Sequence, residues 1–321
     1  MMIKRLLDWL GFSEPAPRTA KAVESLDAPL PLSPPDYLTL DWAQRKQQLI
    51  SRIDDPFYGG FAAANTAEIA RIALAEGENA HLHVIFNLGA DSLAQYMRTD
   101  NYQNAYERPV VGSKIIEPSK KRKRVDELLG LNPVENFYFC AASVGGTGMR
   151  FYGDYCVVLK SPVDKAAVKQ GLDRNSYDLV APPLDGMINE PDAKNRIGSL
   201  KFKFRELEFS DMLVIKVLQH QAMRPRRLTM GNIAEAVLSD EDYVELFHEG
   251  KIRRDSILEV RSHPEDEMTE RAIESRNIRE RTSTPEQILW LQQRRIARQE
   301  MDKKKVPHRI VRGSGRDYRW S

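Results

Sequence analysis

Short apolar runs, strand-like in length and bounded by turn residues, constrain this chain most. LHVIFNLG (82–89), FYFCAAS (137–143), FYGDYCVVLK (151–160) and SILEV (256–260) are rich in β-branched and aromatic residues. Each predicts a buried strand. FYFCAAS, the glycine-rich VGGTG (144–148) and FYGDYCVVLK together predict a hairpin-like pair. KFKFRELEFS (201–210) alternates charged and apolar residues, as an exposed or edge strand does. Helical signals fall between these runs in no regular order. Residues 41–53 and 63–76 read as helices, DSLAQYM (91–97) starts like one, and Thr284-Pro285-Glu286-Gln287 fits a capping box leading a helix from Ile288 to Met301. Strands and helices in irregular order predict an α+β fold with a mixed sheet over residues 41–262. Residues 1–40 read as an amphipathic start (MMIKRLLDWLGF) followed by a Pro-rich linker, and 263–321 as a charged helix with a basic tail. Residues 161–199 carry mostly loop signals.

Composition narrows the class. The 321 residues are 41% hydrophobic and 29% charged, the balance of a soluble globular protein with polar extensions. No run approaches the roughly 18 consecutive apolar residues that span a bilayer. Asp8 interrupts the apolar start and no small-residue cleavage site follows, so a docking helix is expected there rather than a signal peptide. Two cysteines, Cys140 and Cys156, are too few for a disulfide scaffold or a structural zinc site, and a cytoplasmic location is expected. The net charge is only +2, but basic residues cluster. Residues 281–321 hold eleven Lys/Arg against four Asp/Glu, 11 − 4 = +7, and KKRKR fills 120–124. Both clusters are candidate phosphate-contacting surfaces for nucleic acid, or solvated faces.

Several chemistries lack their residues. VGGTG is not followed by Gly-Lys-Ser/Thr, so it reads as a turn and not a phosphate loop, and no GxSxG elbow occurs. His81 and His83 share one strand face without a further ligand at metal spacing, so no metal is expected. EFSDMLVIK lacks the paired-carboxylate spacing of a metal-dependent nuclease.

The carboxylate of Glu245 is the residue that demands an explanation. It interrupts the apolar run Tyr243, Val244, Leu246, Phe247, and a charge there is costly unless paired or used. On the residues alone, Glu245 pairs with a neighbouring Arg or serves chemistry. A second candidate, Glu235, stands in GNIAEAVL, on what reads as an amphipathic helix.

The succession HLHVIFNLGADSLAQYM, a basic segment, NFYFCAASVGGTGMRFYGDYCVVLK and VELFHEGKIRRDSILEV resembles the ADP-ribosyltransferase fold. In particular it is similar to the DarT family of DNA-modifying toxins, over roughly residues 80–262. In that family an early polar residue on a strand leads into a helix, and a late glutamate precedes an Ile-rich strand. Glu245-Leu246-Phe247 and Ile257-Leu258-Glu259-Val260 match the late segment; the early one departs, with Val84-Ile85 after His83, although Asn87-Leu88 is kept. The resemblance implies NAD as substrate, nucleic acid as acceptor and a protein antitoxin or regulator as partner. It implies Glu245 as catalytic carboxylate, with Glu235 second, and His83, Tyr152 and Arg124 (or Arg122) as NAD contacts. Without the resemblance, His83 and Tyr152 read as core residues and the chain as a nucleic-acid-binding or assembly protein. The two readings differ in whether His83, Tyr152 and Glu245 share a cleft.

Overall fold

The structure is a computed structural model. It describes residues 82–104, 106–107, 118–160, 167–172, 174–180, 185–203, 216, 238, 243–279 and 282–312. The docking helix, the linker, the helices expected at 41–53 and 63–76, residues 204–210 of the alternating strand, Glu235 and residues 313–321 lie outside these.

In chain order, β1 (His83–Leu88) leads into α1 (Ala90–Thr99), followed by α2 (Lys120–Leu128), β2 (Phe137–Ser143), β3 (Tyr155–Leu159) and β4 (Val168–Leu172). Then come α3 (Ala193–Ser199), β5 (Lys201–Lys203), β6 (Glu245–Glu249), β7 (Ile257–Ser262), α4 (Pro264–Arg279), α5 (Pro285–Lys303) and β8 (His308–Ile310). The strands form one sheet in the order β5-β4-β6-β2-β1-β3-β7-β8. Every pairing is antiparallel except β7 with β8, so the sheet is mixed and the class is α+β.

Strand periodicity divides the core between the two faces. Val84, Phe86 and Leu88 of β1 pack with Leu93 and Met97 of α1 and with Ala297 and Met301 of α5. The alternate residue Ile85 faces the other way, against Ala141, Met149, Cys156, Val158 and Tyr243. On that second face a separate cluster gathers Val125 and Leu128 of α2, Ile197 of α3, Leu172 and Phe247. Both faces of β1 are thus covered, which explains why Val84, Ile85 and Phe86 are apolar in succession.

Several sequence expectations change. FYFCAAS and YCVVL are not hairpin partners, because β1 lies between them and pairs with both. The connection 144–154 therefore crosses the end of β1, where the Asn87 amide holds it: Nδ2 donates to the carbonyls of Thr147 and Gly153, each at 3.0 Å, and Oδ1 accepts from Met149 N–H at 2.9 Å. Gly148 has φ +68°, and a Cβ there would collide with Asn87 Oδ1; a Cβ at Gly153 would strike the Leu88–Gly89 backbone. Tyr152 accordingly sits in a turn ahead of β3, not on the strand expected over 151–160. Residues 161–199 contain β4 and α3, whose apolar residues are too sparse to show a period. β6 runs through Glu249 and the chain reverses at Gly250, φ +87°. Finally, residues 284–310 pack onto the sheet. The capping box of Thr284 and Gln287 forms, α5 packs on α1 through Ala297 and Met301, and His308–Ile310 extends the sheet.

Candidate functional site

Glu245 opens β6, with Ala141 of β2 on one side and Leu172 of β4 on the other. The β1–β2 ladder pairs only His83, Val84 and Ile85 with Ser143, Ala142 and Ala141. Beyond Ile85 each strand keeps its outer partner, β1 with β3 and β2 with β6, while the two inner strands part. A pocket of about 240 Å³ occupies the wedge, lined by Phe86 and Asn87 on one side, Phe139 and Cys140 on the other, and Glu245.

The pocket walls are aromatic. Tyr102 stacks on Phe86 with ring centroids 4.2 Å apart, and Tyr106, Tyr152, Tyr177 and Tyr243 also line the pocket, with Arg122 among them. The Tyr152 hydroxyl lies 3.3 Å from that of Tyr243 and accepts from Asn175 Nδ2 at 3.2 Å. Tyr152 is 40% exposed and Tyr177 51%, so both stand at the mouth. Tyr243 is buried, which pushes its phenol up.

The Glu245 carboxylate is 3% exposed and accepts from Ser176 N–H at 2.9 Å. Burial raises its pKa from 4.5 to about 7; the nearby Arg122 charge and the Ser176 hydrogen bond limit the rise. Arg122 reaches this point because Ser119 caps α2 and the helix turns the third residue of KKRKR inward. Its guanidinium donates to both oxygens of Asp126 (Nε at 3.0 Å, Nη2 at 2.6 Å) and to Ser176 Oγ at 2.6 Å. Its carbon lies 4.5 Å from the Phe139 ring centroid and 4.8 Å from that of Tyr177. Burial would lower its pKa, and the charges of Asp126 and Glu245 more than offset that, so Arg122 stays charged. Tyr106 donates to Asp126 from the far side.

Of the residues singled out from sequence, Glu245 and Tyr152 line this pocket together. His83 does not line it. It lies on the same sheet face as Glu245, opposite Ser143, buried near the start of β1. Arg124 points to solvent and pairs with Glu127 at 3.4 Å, whereas its neighbour Arg122 takes the pocket position. Ser176, Asn175 and Tyr177 carried no sequence signal because they belong to a loop segment, 174–180. Arg122 and Asp126 stand four apart on a capped helix, a spacing that Lys123 and Glu127 share, so it does not single out Arg122.

The basic clusters fare differently. Lys120, Lys121, Lys123 and Arg124 lie exposed on the outer side of α2, whose Arg122 borders the pocket. In the C-terminal segment, Arg294 is fully buried and donates to Asp154, Glu267 and Glu270, and Arg295, Arg298, Lys303 and Arg309 each pair with a glutamate. Lys303 pairs with Glu300, which is already counted in the +7, but Arg294, Arg295, Arg298 and Arg309 are balanced by carboxylates from outside 281–321. Among the described residues, no group of three or more His, Cys, Asp or Glu could hold a metal ion, and no helix is long and apolar enough to cross a membrane.

No protein-family model, no curated protein and no solved structure matches this chain.

Proposed function

We propose that the chain is an NAD-dependent ADP-ribosyltransferase acting on nucleic acid, with Glu245 as its catalytic carboxylate. The observation that carries this reading is a buried carboxyl, titrating near neutrality, on the lining of an aromatic wedge between two diverging strands. A carboxyl poised near the working pH can serve as base or as fixed charge.

The wedge suits a flat ring with a sugar behind it. At about 240 Å³ it is smaller than the roughly 300–1,000 Å³ of sites that enclose a drug-sized ligand, so it takes the nicotinamide and its ribose and leaves the adenylate outside. Tyr152 at the mouth offers a ring face for stacking. When the bond from ribose C1′ to the nicotinamide nitrogen breaks, positive charge develops on the ribose and nicotinamide leaves with the bonding electrons. The ionised Glu245 stabilises that charge and takes the proton of the acceptor as its oxygen or nitrogen bonds to C1′. Lys120, Lys121, Lys123 and Arg124, exposed on the helix that carries Arg122, supply phosphate contacts.

Incubation with NAD labelled in its adenylate, together with DNA, RNA and protein acceptors, tests the reading. Label transferred to nucleic acid with release of nicotinamide supports it. Intact NAD with every acceptor refutes it.

A further inference from the structure

Arg122 has the residue type and the position of a ligand-contacting cation, yet its geometry assigns it another task. Three of its donors are engaged, two on Asp126 and one on Ser176 Oγ, and Phe139 and Tyr177 lie near its guanidinium. It is only 4% exposed. Ser176 joins it to the carboxylate: the hydroxyl accepts from Arg122 and the backbone N–H of the same residue donates to Glu245 Oε2. Residues 176–180 form a short 3-10 turn, so fixing the Ser176 side chain fixes the direction of its N–H.

We propose that Arg122 is a positioning residue for Glu245, acting through Ser176. Held between Asp126 and the two rings, its guanidinium anchors Ser176, and the Ser176 N–H then holds one carboxylate oxygen in a set orientation at the pocket. The planar fork matters as well as the charge. A lysine could not keep both Asp126 oxygens and the Ser176 hydroxyl at once. The same anchor places Asn175, which donates to the Tyr152 hydroxyl, and Tyr177 at the mouth. The proposal rests on Glu245 being the functional carboxylate, but its geometry is independent of what the pocket binds.

The groups that act on Glu245 come from several elements: Arg122 and Asp126 from α2, Cys140 from β2, Tyr152 from the turn before β3, and Tyr243 just ahead of β6. Of these, Arg122 is the cation, and its loss moves the carboxyl titration upward.

The test is the titration of Glu245, monitored by carboxyl-carbon NMR of the full chain labelled in glutamate and assigned with Glu245→Gln. In Ser176→Ala and in Arg122→Lys the cation remains and the anchor is lost. Both are expected to raise the midpoint, and Arg122→Met with Asp126→Leu to raise it by less than the about 1 to 3 pH units of losing an opposite charge alone, because the Asp126 charge that raises it is removed too. An unchanged midpoint in Ser176→Ala overturns the proposal, and so does a shift confined to the variant that removes the charge. If Arg122→Lys fails to fold, Ser176→Ala is compared in the parent and in Arg122→Met with Asp126→Leu, because the hydroxyl also lowers the Glu245 pKa directly: a smaller shift without Arg122 is expected, and an equal shift overturns the proposal. The NAD reaction is a separate readout: a shifted midpoint in a protein that leaves NAD intact keeps the positioning role and refutes the enzymatic reading. Turnover with an unmoved midpoint does the reverse.

Discussion

At the residue scale, Glu245 ties stability to pH in an unusual direction. Its folded pKa, about 7, lies above the 4.5 of an ordinary glutamate, so between those values the folded chain binds a proton that the unfolded chain has released. Stability from this group is therefore present at acid pH and is lost as pH rises through the window from about 4.5 to 7. Glu245→Gln removes that dependence and is expected to be the more stable protein at pH 8, by up to about 3 kcal/mol at roughly 1.36 kcal/mol per pKa unit. Urea unfolding at pH 5 and pH 8 measures it; a variant less stable than the parent at pH 8 contradicts the expectation. The two tyrosines of FYGDYCVVLK are expected to separate as well. Tyr155 is fully buried, so Tyr155→Ala should cost about 3–5 kcal/mol. Tyr152 is at the mouth, so Tyr152→Ala should barely move the melting temperature while raising KM for NAD, and Tyr152→Phe should keep the ring and give up only the hydroxyl's hydrogen bonds with Tyr243 and Asn175. The reverse pattern in thermal melts and kinetics would put Tyr152 in the core.

At the element scale, two devices hold the pocket and its surroundings. Asn87 bonds three backbone groups of the connection 147–153, which a helix or strand would have satisfied. Asn87→Leu strands these groups and is expected to cost about 3 kcal/mol in urea unfolding, with faster amide exchange at Met149; unchanged exchange there would mean that the connection is held by other interactions. Arg294 is the second device, joining α5 to α4 and to Asp154 ahead of β3. Arg294→Met strips Asp154 of its ion pair and leaves Glu267 and Glu270 with Arg298 alone, and should cost about 3–5 kcal/mol. The same elements show what was legible. β1, β2, β7 and the capped α5 were readable because their residues are dense in apolar, β-branched or capping signals. The placement of β1 between β2 and β3 was not, because nothing local in VGGTGMRFYGD separates a long crossing from a turn; only the distant Asn87 does. Glu245 was legible as a charge in an apolar run. Arg122 and Ser176 were not told apart from their neighbours, because a burial difference between Arg122 and Arg124 depends on which side of α2 meets the sheet.

At the scale of the whole molecule, the charges and the pocket make distinct claims. Because Arg294 and its neighbours are consumed by internal ion pairs, removing 281–321 should unfold the domain, while replacing Lys120, Lys121 and Lys123 by Ala should leave it folded. That triple variant should flatten the plot of log affinity for duplex DNA against log salt by about 0.9 for each phosphate that the lysines no longer neutralise. An identical slope would make the outer side of α2 a solvated face and nothing more. The central claim remains that Glu245 breaks the nicotinamide bond of NAD, and its direct measurement is transfer of label from NAD to nucleic acid by the parent, by Glu245→Gln and by Glu235→Gln. Transfer is expected from the parent and from Glu235→Gln, and none from a folded Glu245→Gln. Undiminished transfer by Glu245→Gln would contradict the claim.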